Sequence, residues 1–131
     1  MLNSKNIKYL IIHCSDTNNQ FRAIDIHKMH LSFGWDGIGY HKIICRDGTI
    51  ENGRPVYWVG AHTKGKNNES IGICLIGRNN FTKNQFTSLK LILIEWKKKY
   101  PNLIIQGHRD AINTHKTCPN FNVTQWCLEN L

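Results

Sequence analysis

Three side chains of this sequence have the chemistry to hold a metal ion together. His13 closes an apolar, β-branched run, Ile-Lys-Tyr-Leu-Ile-Ile-His at 7–13. His108 follows a second short apolar run at 103–106. Cys118 sits in a polar segment, His115-Lys116-Thr117-Cys118-Pro119. Both runs read as strands, and in α/β proteins ligands bind beyond the carboxyl ends of the strands. Two imidazoles and one thiolate suit a tetrahedral zinc ion with a fourth position left open for water. Such an ion lowers the pKa of its water to about 7 and makes a hydroxide-like nucleophile available at neutral pH. Taken singly, each residue has a plainer role: a strand-end histidine is ordinarily a hydrogen-bonded core residue. A cysteine is ordinarily a small buried hydrophobe. Strand alternation puts Ile11 and His13 on one face and Ile12 and Cys14 on the other, so Cys14 is not expected to share an ion with His13.

The elements that must bring these residues together are legible as patterns. After the first strand, Ile26, Met29, His30 and Phe33 recur at helical spacing, and Gly34 supplies the stop. Segments 40–45 and 49–51 flank Arg46-Asp47-Gly48, whose Asp-Gly pair signals a hairpin turn. Residues 56–59 read as a further short strand. The nearly unbroken apolar run at 70–76 is expected of a central strand covered on both faces. Thr82 and Gln85 form a capping box, followed by Phe86, Leu89, Leu93, Trp96 and Tyr100 along one helical face, with Pro101 as terminator. A terminal helix is expected over 122–131. The order strand, helix, hairpin, strand, helix, strand, helix predicts an α/β fold. Its central mixed β-sheet is flanked by helices on both faces, in a single domain over 1–131.

Composition narrows the function classes. The chain has 131 residues, 17 basic and 9 acidic side chains, a net charge of +8, five cysteines and 40% apolar residues. That apolar content excludes a disordered chain, and no run approaches the ~18 apolar residues of a membrane span. Five thiols cannot all pair within one chain, and the sequence has no C-x-x-C motif of a zinc ribbon or thioredoxin type. Cys14, Cys45 and Cys74 lie in strand-like segments and read as buried, reduced thiols. The charge suits a polyanionic partner, but no zinc finger, homeodomain or RNA-recognition signature is present. Lys97-Lys98-Lys99 ends a predicted helix, where it complements the helix dipole. Asp36 and Asp47 form no recognisable carboxylate pair, so glycosidase chemistry has no support. Trp35 and Trp58 have the ring faces to stack on sugars or to pack in a core. The segment 1–9 mixes Asn and Lys without an apolar stretch, so no secretory signal is expected.

Taken together, several short motifs resemble one family. They are Ile11-Ile12-His13-Cys14-Ser15, Gly34-Trp35, Gly39-Tyr40-His41, Arg46-Asp47-Gly48, Val59-Gly60-Ala61-His62, Asn67 with Ser70-Ile71-Gly72, Gly107-His108-Arg109-Asp110, and Lys116-Thr117-Cys118-Pro119. Each is weak alone. In this order and spacing they resemble the zinc-dependent N-acetylmuramoyl-L-alanine amidases of the type 2 class, which includes small phage amidases and peptidoglycan recognition proteins. The resemblance implies one zinc ion on His13, His108 and Cys118. It implies that Tyr40 lies near the metal's water and Lys116 near the scissile carbonyl, where Lys116 would stabilise the oxyanion. It implies substrate contacts from His62, Trp35 and Asn67. The proton donor to the leaving amine stays open among Lys116, Tyr40 and the water. Two departures concern the groove: Met29-His30 stands where the family often has Trp-His, and His115 stands where a small residue or proline often precedes the lysine. His27, His30, His41 and His115 are left as structural or surface residues.

The resemblance implies hydrolysis of the amide between the lactyl group of N-acetylmuramic acid and L-alanine of the stem peptide. The expected substrate is peptidoglycan or a muropeptide, and a monomer is expected. A phage or prophage endolysin is implied, made in the cytoplasm and reaching the wall through a membrane lesion, with a bacterial recycling or mobile-element enzyme as the other origin left open. A non-catalytic peptidoglycan-binding module of the same fold is the main alternative, and retention of Cys118 speaks against it. A regulator binding a polymerase or nucleic acid is motivated only by the net charge.

Overall fold

The structure is a computed structural model, which describes residues 1–111 and 117–131. His115 and Lys116 lie outside the described residues. The apolar run near the N-terminus forms β1 (Tyr9–Cys14), followed by α1 (Ala23–Ser32), β2 (Lys42–Ile44), β3 (Ile50–Asn52) and β4 (Ser70–Leu75). Then come α2 (Lys83–Lys99), β5 (Ile104–Gly107), the single turn α3 (His108–Ala111) and α4 (Val123–Asn130). The sheet order is β3-β2-β4-β1-β5. β1 runs parallel to both β4 and β5, β2 runs parallel to β4, and only the β2–β3 hairpin is antiparallel. The predicted mixed α/β sheet is therefore the observed one.

Period-2 alternation sorts the strands into two faces. Leu10 and Ile12 of β1, Ile44 of β2, and Ile71, Ile73 and Leu75 of β4 meet Leu89, Leu93 and Trp96 of α2 and Val123 of α4 in the larger core. On the opposite face, Ile43 and Ile76 pack with Ile26 of α1 and Ile38 in a smaller one. Helix α1 ends as its sequence demands: Gly34 has a φ of 87°, and its N–H donates to Leu31 O at 3.0 Å.

Helix α2 is fixed at its start by polar atoms. Thr82 Oγ1 accepts from Gln85 N at 3.1 Å, while Gln85 Oε1 accepts from Thr82 N at 2.9 Å. Gln85 is fully buried, and its Nε2 donates to Ile44 O at 3.1 Å, at the end of β2, and to Ile76 O at 2.9 Å, just past β4.

One expected strand is absent. Residues 56–59 form a turn in which Trp58 N–H donates to Pro55 O at 2.9 Å. Pro55 has no N–H for a ladder, and Val56, Tyr57 and Trp58 are all exposed, without the alternation that a half-buried strand needs. Among the described residues, no helix is long and apolar enough to cross a membrane.

Candidate metal centre

Strand register creates the site. Ile12 of β1 lies opposite Gly107 of β5 in a parallel pair. The next residue of each strand, His13 and His108, therefore emerges side by side, with ring centroids 4.5 Å apart. Cys118 arrives from the loop after α3. Arg109 N–H donates to Cys118 O at 2.9 Å, and Cys14 N–H donates to Cys118 Sγ at 3.1 Å. Gly107 allows that loop to close on β5, because a Cβ there would stand 2.9 Å from Pro119 Cδ. Asn120, at φ 68°, turns the chain and donates from Nδ2 to Arg78 O.

The ligand atoms of His13, His108 and Cys118 lie within 4.8 Å of one another. Tetrahedral zinc with bonds of about 2.0–2.3 Å separates its ligands by roughly 3.3–3.7 Å. Small side-chain movements would therefore bring all three onto one ion. His13 is buried, and His108 and Cys118 are half-buried. They open into a cleft of about 500 Å³ whose wall also carries Trp35, Tyr40 and His62. A separate cavity of about 410 Å³, near His27, Arg54 and Trp58, contains none of the three.

The surroundings push two of the ligands toward their uncharged forms. Burial, and then the neighbouring His62 and His108, push His13 well below its ordinary pKa, so its imidazole is neutral and has a lone pair to offer. The Cys118 thiol is pushed up by its hydrogen bond with Cys14 and by burial, and Cys14 is correspondingly lowered. A metal ion reverses that preference, since a coordinating thiol is deprotonated outright. The Tyr40 ring lies tilted 5.1 Å from that of His13, and burial pushes its phenol upward, keeping it a proton-bearing donor.

His62 and Asn67 occupy places that spacing alone did not reveal. Asn67 Oδ1 accepts from the backbone N–H groups of His62 and Thr63, at 3.0 and 2.9 Å. It holds the loop and is not among the residues lining the cleft. His62 Nδ1 lies 2.9 Å from His13 Nε2. Trp35 is 44% exposed at the cleft wall, with its edge against His30, so it is not a core residue; nor is Trp58, at 52%. His27 and His30 accept through Nδ1 from the N–H groups of Ile38 and Gly39, tying the 35–39 loop to α1. His41 Nδ1 accepts from Gly72 N, and its Nε2 donates to Trp58 O. Thr63, which lies outside the motifs, and Ser70, the first residue of Ser70-Ile71-Gly72, both contact the His62 ring. Their signal is the pair of glycines, Gly60 and Gly72, that leave room for it.

A parallel-strand end that presents two imidazoles and a thiol to an open cleft is suited to metal-assisted hydrolysis. The model of the N-acetylmuramoyl-L-alanine amidase family matches residues 3–121, and the chain belongs to that family. Among its relatives is the endolysin of Enterobacteria phage K11, 39% identical over 125 residues, covering 88% of this chain and 82% of that one. The solved structure of N-acetylmuramoyl-L-alanine amidase LysC from Clostridium intestinale superposes with a TM-score of 0.83 at 33% identity, covering 95% of this chain and 83% of that one. A mutant of Drosophila PGRP-LB in complex with tracheal cytotoxin gives a TM-score of 0.76 at 30% identity, covering 86% and 75%.

Proposed function

We propose that the protein is a peptidoglycan amidase that cleaves the bond between the lactyl group of N-acetylmuramic acid and L-alanine, using one zinc ion on His13, His108 and Cys118. The observation that carries this reading is the convergence of those three ligand atoms within 4.8 Å at the cleft, in a chain of this family. Zinc, when bound, supplies Lewis acidity toward water and the amide carbonyl. The rest falls to the chain. Tyr40, kept protonated by burial and with its ring 5.1 Å from that of His13, would turn its phenol from Cys74 to donate a hydrogen bond to the oxygen on which charge develops. Lys116, assigned by family resemblance, supplies a positive charge to the same oxygen. Trp35 at the cleft wall offers a face to a sugar or lactyl group. The net charge of +8 draws the protein toward an anionic wall. Hydrolysis leaves a lactyl carboxylate and the alanine amine, which takes up a proton as it departs. Relatives of this chain are phage endolysins, and the site of action proposed for it is the cell wall, reached after release through a membrane lesion.

The test is mass spectrometry of peptidoglycan digested with the purified protein. Free stem peptides are expected, lost with a chelator and restored by zinc. Cleavage between sugars, or binding without release of stem peptides, would overturn the reading.

A further inference from the structure

We propose that His62 is a positioning residue for the metal centre: a directed chain of hydrogen bonds through its ring fixes the tautomer of His13, so that His13 presents its Nδ1 lone pair to the metal. This rests on the metal-site reading above and adds to it a role for a cleft residue otherwise expected to touch substrate.

The direction of the chain follows from its far end. Ser70 Oγ lies 2.7 Å from Lys66 O, which can only accept, so the hydroxyl proton is committed there. Toward His62 Nε2, 3.4 Å away, the same oxygen is therefore an acceptor, and His62 carries its proton on Nε2. His62 Nδ1 is then a lone pair, 2.9 Å from His13 Nε2, and accepts from it. With its proton on Nε2, His13 keeps Nδ1 for coordination. Thr63 Oγ1 stands 3.0 Å from His62 Nδ1 and 3.3 Å from His13 Nε2. The one lone pair on His62 Nδ1 serves a single donor, so Thr63 offers an alternative route, accepting from His13 and donating to His62; direct or through Thr63, the His13 proton sits on Nε2. Metal-bound histidines commonly donate their other N–H to such a partner, which orients the ring and raises its basicity.

The backbone is cut to fit this ring. A Cβ on Gly72 would stand 2.6 Å from His62 Cγ and Cδ2, and one on Gly60 would stand 2.6 Å from Cδ2. The Asn67 amide fixes the main chain on both sides of the ring's Cα. A residue needed only to meet substrate would not require its ring locked on three sides.

The test compares the parent protein with His62→Ala and His62→Asn, measuring zinc affinity by competition with a chromophoric chelator. His62→Ala is expected to bind zinc 10–100-fold more weakly, the usual consequence of losing such a partner. His62→Asn places an amide oxygen where Nδ1 was and is expected to recover most of that loss, which a merely structural role would not produce. Nitrogen-15 NMR of the parent is expected to show His13 protonated on Nε2. Parental zinc affinity in His62→Ala, or a His13 proton on Nδ1, would overturn the relay while leaving the amidase reading intact. If the parent binds no zinc, the metal reading falls instead, and the tautomer in the metal-free protein still decides the relay. The NMR measurement also serves if His62→Ala does not fold.

Discussion

The two faces of the sheet solve the same burial problem in opposite ways. Facing α2 and α4, Leu10, Ile12, Ile71, Ile73 and Leu75 are fully buried and form an apolar layer. On the other face, beside the smaller apolar core of Ile26, Ile38, Ile43 and Ile76, the intervening positions His13, Gly72 and Cys74 are also nearly inaccessible, and there the filling is imidazole and thiol. There His13, His62 and His41 meet edge to face at 5.0 and 5.7 Å, joined to backbone and hydroxyl groups by hydrogen bonds. Dispersion and exclusion of water hold the first face, and its residues are interchangeable with others of similar volume. Donor–acceptor matching holds the second, where each polar atom must find one partner. A strand that alternates between them carries stability on one set of alternate positions and chemistry on the other.

Substitutions should separate the two. Cys118→Ser is expected to abolish zinc binding and bring amidase activity to background while the chain stays folded, as read by metal analysis, turnover and circular dichroism. Leu93→Ala, in the apolar layer, is expected to cost about 2–5 kcal/mol in urea unfolding. Its zinc content and its activity per folded molecule should stay unchanged. Activity lost in proportion to stability in both variants would dissolve the distinction. Tyr40→Phe is expected to keep the zinc and lower kcat on the order of 100-fold; a change in KM alone would remove Tyr40 from the chemistry.

The smallest effect concerns pH. Burial, and then Arg54, lower the folded-state pKa of His30 to about 4 from 6.5, so the unfolded chain binds the extra proton first. The His30 contribution to stability is therefore intact above about pH 6.5 and declines as pH falls toward about 4, at up to ~1.4 kcal/mol per unit. His30→Asn retains an acceptor for Gly39 N–H without the titration, and its unfolding free energy should fall less steeply with acid.

How much of this is legible in the sequence depends on whether the signal is local. β1, β4 and α2 were readable because period, capping box and terminator lie within each segment. The boundaries shift by only a residue or two, as where β1 starts at Tyr9 rather than at residue 7. The apolar content of 56–59 is local, but a strand also needs a neighbour to pair with, and these residues close a turn instead. His13 and His108 were visible at strand ends, but their adjacency is a matter of register, Ile12 against Gly107, which no spacing in the chain encodes. His62 was recognisable as a motif residue, yet its orientation depends on Ser70 and Lys66, whose hydrogen bonding exists only once the loop is folded.

The buried amide of Gln85 has a consequence for how freely the apolar face can vary. Grease alone would let α2 slide along its axis or rotate by a fraction of a turn at little cost. An amide that must reach two carbonyls at once, Ile44 O and Ile76 O, permits one phase and one height. Gln85 acts as an index mark for the helix, and Leu89, Ile92 and Leu93 can then exchange among similar hydrophobes without losing alignment. Replacing the mark itself with leucine should leave a protein that is still helical but has several interchanging packings, visible as broadened side-chain resonances across α2.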